Sequence, residues 1–103
     1  MLFAELDQKL SKGPVGLGSM RDFERQCMAA VRSDPANAAL YRLLAAAAAQ
    51  FIDTFDDGPL DVSVAAKARE GAIRLTRIAS EAAQAPADAK VAALNEIAQT
   101  VLG

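Results

Sequence analysis

A chain of 103 residues is long enough for one hydrophobic core and short for two, which points to a single domain over 1–103. Its net charge of −2 and pI near 5.0 give no electrostatic reason to bind nucleic acid or an anionic membrane. There is no histidine, so a Cys–His nucleophile is impossible, and the single cysteine, Cys27, excludes an internal disulfide and suits a reducing compartment.

Hydrophobic residues make up 52% of the chain, yet only 5% are aromatic and nearly a quarter are alanine. Alanine is the strongest helix former and lets helices approach closely. It contributes little area, however, at roughly 25 cal/mol per Å² buried. The chain is therefore rich in helix propensity and thin in large core side chains, a balance that burial against a partner or a second copy would improve. The opening Met1-Leu2-Phe3-Ala4-Glu5 has no basic run and no long apolar run, so no secretory signal is expected. The apolar run Leu43–Ile52 is too short to span a bilayer. These features suit a cytoplasmic protein.

In chain order, the spacing predicts a first helix over 2–12, with Leu2, Phe3, Leu6 and Leu10 on one face. It has about three turns, too few to be stable alone in water, so it must dock on something. Gly13-Pro14-Val15-Gly16-Leu17-Gly18-Ser19 reads as a hinge at 13–19, with Val15 and Leu17 plugging it to the core. A phosphate loop would need a Gly-Lys-Ser/Thr ending, and Lys12 instead precedes the glycines. Such a hinge would let the first helix leave the bundle and offer its leucine face to a partner.

Ser19 is the expected cap of a second helix over 19–33, whose inner stripe is Met20, Phe23, Cys27, Ala30 and Val31. Within that stripe Cys27 is a small core residue. Asp34-Pro35 then opens a third helix over 35–55, with aspartate as cap and proline at the one comfortable helical position. Leu40, Tyr41, Leu43, Leu44, Ala47, Ala48, Phe51, Ile52 and Phe55 cover more than half of its circumference. A surface helix needs a narrower stripe, so this one belongs at the centre of a bundle.

Ala30, Ser33-Asp34-Pro35-Ala36-Asn37-Ala38, Tyr41, Leu44 and Ala45 together resemble the boundary between two tetratricopeptide repeats. The likeness covers about sixteen residues and then fails. The third helix runs on through Phe51 and Phe55, Asp57 stands where a small residue belongs, and the 34-residue period does not recur. The resemblance implies a helical-hairpin peptide binder or chaperone, not an enzyme.

Asp53, Asp56, Asp57 and Asp61 surround Gly58-Pro59. An EF-hand loop starting at Asp53 would need a ligand at Phe55 and a bidentate glutamate at Val64, so the glycine and proline are read as a helix stop, with Asp61 or Ser63 capping the next helix. That fourth helix spans 62–84, with Val64, Ala65, Ala68, Gly71, Ala72, Leu75, Ile78, Ala79 and Ala82 inside. Gly71 suggests a close helix approach there. Glu70–Arg74 and Arg77–Glu81 are spaced as i,i+4 pairs on a solvated face, while Ile73 stands off the inner stripe and is a candidate self-association point. After Ala85-Pro86, a fifth helix over 87–102 carries Val91, Leu94, Ile97, Ala98, Val101 and Leu102 on one side.

The expected fold is an all-α compact bundle of about five helices, or an array of αα-hairpins. The expected function is a non-catalytic protein-interaction module: an adaptor, a chaperone-like protein or a subunit of a larger assembly. Its expected contacts are Leu2, Phe3, Leu6, Leu10 and Ile73, and its partner is another protein, a peptide or a second copy forming a homodimer. No catalytic residue, cofactor, metal ligand, nucleic acid or membrane is expected. Two alternatives are a dimeric regulator touching nucleic acid weakly through the fourth helix, where interleaved glutamates weaken the field, and a small cofactor- or metal-binding enzyme subunit.

Overall fold

Helix formers dominate the long stretches between the breakers at 13–16, 58–59 and 86, and among the described residues these stretches are largely helical. The computed structural model describes residues 3–12, 16–55 and 60–102. Among them are five α-helices: α1 (Phe3–Ser11), α2 (Leu17–Ser33), α3 (Ala38–Phe55), α4 (Val62–Ala82) and α5 (Ala87–Gln99). A short 3₁₀ turn, Pro35–Asn37, joins α2 to α3, and no strand occurs among the described residues. The fold is an all-α bundle with a radius of gyration of 12.9 Å, close to the roughly 13 Å of a folded domain of this length.

The wide apolar surface of α3 is matched by its neighbours. It packs most extensively on α2 and also meets α4 and α5. Leu40, Tyr41, Leu44, Ala45, Ala47, Ala48 and Phe51 are all buried. From α2, Met20, Phe23, Cys27 and Ala30 fill the facing side, while Val31 is only half-buried. α1 lies chiefly on α4 and makes little contact with α2, its neighbour in sequence. Phe3, Leu6 and Leu10 are all buried there, each worth about 1.5–3 kcal/mol. The Phe3 ring stacks on Tyr41, with centroids 4.5 Å apart and planes 12° from parallel.

Several boundaries fall differently from the sequence expectation. α2 starts at Leu17, with Gly16 at its N-cap and no side-chain cap, so Leu17, Gly18 and Ser19 belong to the helix and not to the hinge. Leu17 packs against the core; Val15 lies outside the described residues. The helix formers on either side of Gly18 override its cost, and the first hydrogen bond of the helix already forms at Gly16, whose carbonyl accepts from Met20 N–H at 3.0 Å. Asp34 does not cap its own helix start. Its Oδ2 instead accepts from Asn37 Nδ2 at 3.0 Å and Tyr41 Oη at 2.8 Å, tying the α2–α3 corner to the core. Asp61 does cap α4, where Oδ1 accepts from Ser63 N–H at 3.3 Å.

Gly71 is approached closely, but not by a helix. A Cβ there would lie 2.9 Å from Leu102 Cδ2, in the segment following α5. The expected pairs within α4 give way to bridges between helices: Arg74 to Glu96 of α5 at 3.6 Å, and Arg77 to Asp7 of α1 at 3.0 Å. The expected fifth helix over 87–102 is the largest departure: α5 ends at Gln99, and Thr100 turns to extended backbone. Ile97 and Leu102 are buried, Leu94 is half-buried, Ala98 is exposed, and Val91 and Val101 are 54% and 67% exposed. α5 lies at the edge of the bundle, where α3 and α4 cover only a narrow strip of it.

Candidate functional site

Because α1 is held by α4 and α2 by α3, these two consecutive helices leave a groove between them. The groove opens into a cleft of about 300 Å³ and continues along the helices into a second of about 230 Å³. Its apolar floor is built by Leu6 and Leu10 of α1 and Phe23 of α2. These three are buried overall but expose an edge to the cleft.

The rims are polar. On the α1 side stand Lys9 and, just beyond the helix, Lys12, both exposed. On the α2 side stand Ser19, Asp22 and Gln26. The Asp22 carboxylate is held on its own helix, accepting from Gln26 Nε2 at 3.0 Å and Arg25 Nη1 at 3.2 Å. Glu5 and Ala29 mark the far end. The rims thus carry both signs over an apolar floor, Lys9 and Lys12 facing Asp22 at one cleft and Glu5 standing beside Lys9 at the other. Glu5 to Lys12 spans about 10 Å of helix at 1.5 Å per residue, room for roughly two helical turns or three extended residues of a ligand.

Of the residues expected to make contact, Leu2 lies outside the described residues. Phe3, Leu6 and Leu10 are brought together, but into the chain's own bundle: they dock α1 and do not present a leucine face to solvent. Only Leu6 and Leu10 retain an edge at the groove. Ile73 is half-buried and packed against the core, not freely exposed. It sits with Ile78 in a shallow depression on α4, edged by Glu70, Arg74, Arg77 and Glu81. A two-fold axis midway between Ile73 and Ile78 would pair those isoleucines across two copies. It would also set Glu70 against Glu81 and Arg74 against Arg77, so like charges would meet.

The α2 wall was not legible in the sequence. Phe23 read as core, which it is. Asp22 and Gln26 flank it at helical spacing, but nothing local revealed that α1 passes on that side.

Titratable groups with altered affinity serve the fold. The Cys27 thiol is pushed up to about 12, first by burial and then by the charge of Glu24, so it remains protonated in the core. The Asp34 carboxyl lies below its ordinary value because Asn37 and then Tyr41 donate to it. Among the described residues, no group of three or more His, Cys, Asp or Glu side chains is placed to hold a metal ion. Asp53 is exposed, Asp61 is the α4 cap, and Asp56 and Asp57 lie outside the described residues. No described helix is long and apolar enough to cross a membrane. No family model, curated protein or solved structure matches this chain.

Proposed function

We propose that this chain is a small non-catalytic protein-interaction module, an adaptor or assembly subunit, that takes a short segment of another protein in the groove between α1 and α2. The observation that carries this reading is the divided allegiance of two consecutive helices. α1 packs on α4 and α2 on α3, leaving an apolar floor with polar rims where adjacent helices would ordinarily close on each other. An amphipathic segment of about two turns fits the length and is the usual ligand of such grooves. Lys9 and Lys12 favour acidic side chains along the α1 rim, opposite Asp22, with leucine-like residues over Leu6, Leu10 and Phe23. The repeat-like junction at Ala30–Ala45, which implies a helical-hairpin binder, agrees in kind. Binding by such a surface needs shape and desolvation but no reacting group.

The test is recovery of partners with the tagged 103-residue chain, set beside a Lys9→Glu/Lys12→Glu variant whose circular dichroism matches the wild type. A protein captured by the wild type, lost with the variant and cross-linked to α1 or α2 is the expected result. Equal capture by both chains, with cross-links elsewhere, would sink the groove as the binding site.

A further inference from the structure

We infer that α1 exchanges between two copies of this chain, so that in the resulting dimer each groove has its α1 wall from one molecule and its α2 wall from the other. The contacts that hold α1 carry the inference. Phe3 stacks on Tyr41; Arg69 Nη2 donates to Ser11 O at 2.6 Å; Arg77 Nε donates to Asp7 Oδ2 at 3.0 Å. Each partner is remote in sequence, the last two by 58 and 70 residues. Contact with α2, to which α1 is tethered through residues 12–16, is slight. Nothing in this berth distinguishes the chain's own α1 from that of a second copy. An exchanged α1 regenerates the stacking, both polar links and the burial of Phe3, Leu6 and Leu10.

A second copy is also the one occupant whose fit is already displayed, because the berth holds its sequence now. Exchange of an identical element is a low-cost route to a closed two-fold dimer. The tether limits the geometry: the six steps from Ser11 to Leu17 reach about 20 Å at most, so the two-fold axis must pass close to that end of the bundle. A short tether holds α1 at an effective concentration in the millimolar range, so exchange between wild-type chains sets in as protein concentration approaches that value. This goes beyond the peptide-binding reading and does not need it. The experiment reads which chains combine, so either idea can fail alone.

Asp7→Lys and Arg77→Glu provide the test. Within one chain, each substitution places like charges together. When the two variants exchange α1, both berths regain opposite charges: one unites the two substituted side chains, the other the original aspartate and arginine. Native mass spectrometry of an equimolar mixture is expected to show a one-to-one mixed dimer several-fold above its statistical share. The Asp7→Lys/Arg77→Glu double variant, with its pair restored in one chain, should match the wild type. Statistical one-to-two-to-one dimers would assign dimerisation to another face and overturn the inference. So would the absence of any dimer up to about 1 mM.

If either variant fails to fold, Arg77→Lys keeps the charge and allows carbodiimide coupling to Asp7. In a mixture of light and heavy isotope-labelled chains at that concentration, coupled peptides carrying both labels are expected. Same-label products alone would overturn the proposal.

Discussion

The first and last helices of the bundle invite comparison because their apolar patterns look alike and their outcomes do not. α1 has nine residues and buries Phe3, Leu6 and Leu10. α5 has thirteen and buries Ile97 alone within the helix. α1 lies against the broad side of α4, registered by polar links from Arg69 and Arg77 and by stacking of Phe3 on Tyr41 of α3. α5 sits at an edge and is bridged to Arg74 through Glu96, with both side chains 56% exposed, an arrangement worth about 0–1 kcal/mol. Length and apolar spacing make a helix available for docking. How much it buries depends on the surface it meets.

The comparison can be broken most forcefully at its anchors. Phe3→Ala should cost about 3–5 kcal/mol, lowering the melting temperature by roughly 4–8 °C per kcal/mol. Ile97→Ala should cost about 2 kcal/mol, at the lower end of its class, because an edge helix can settle into the space left. Equal losses in thermal denaturation would show that α5 is held as firmly as α1.

Gly71 sharpens the comparison at the segment after α5. Gly71→Val should cost about 1–3 kcal/mol by driving Leu102 out. Gly71→Ala should fall within about 0.5 kcal/mol of wild type. Its propensity gain of about 0.8–1 kcal/mol is offset by displacing the leucine tip, which can rotate aside. Denaturant midpoints of the pair measure this directly.

Smaller still are Val91→Thr and Val101→Thr, expected within about 0.5 kcal/mol because both side chains are already exposed. A loss comparable to that of Ile97→Ala would mean that α5, for Val91, or the segment after it, for Val101, presents another face to the bundle.

The subtlest effect is a pH dependence at the α2–α3 corner, below the ring on which Phe3 stacks. The folded Asp34 carboxyl lies below its ordinary 3.8, through donation by Asn37 and then Tyr41. Its stabilisation is therefore complete above pH 3.8 and is lost as pH falls through the lower folded value. Asp34→Asn should flatten the acid limb of stability against pH, and Tyr41→Phe should flatten it in part. An unchanged acid limb in Asp34→Asn would remove Asp34 from that account.

Much of the architecture was readable from local chemistry. Asp34-Pro35 marked the α2–α3 corner, and Met20, Phe23, Cys27 and Ala30 marked the inner face of α2. The breadth of the Leu40–Phe51 surface is by itself enough to place α3 at the centre. These properties depend on the 3.6-residue period, on capping and on side-chain size, all carried within a few turns of chain. The groove was not readable, because it arises where α1 and α2 choose different partners, and that choice depends on residues up to 70 positions away. The same holds for the turning of Arg74 and Arg77 from their own helix to its neighbours, the seat of Leu102 against Gly71, and the exposure of Val91 and Val101. Sequence alone determined which stretches become helices, to within about three residues at their ends, and which faces seek cover. Only the tertiary structure decided which faces obtain it, because burial is a property of two surfaces and each stretch encodes one.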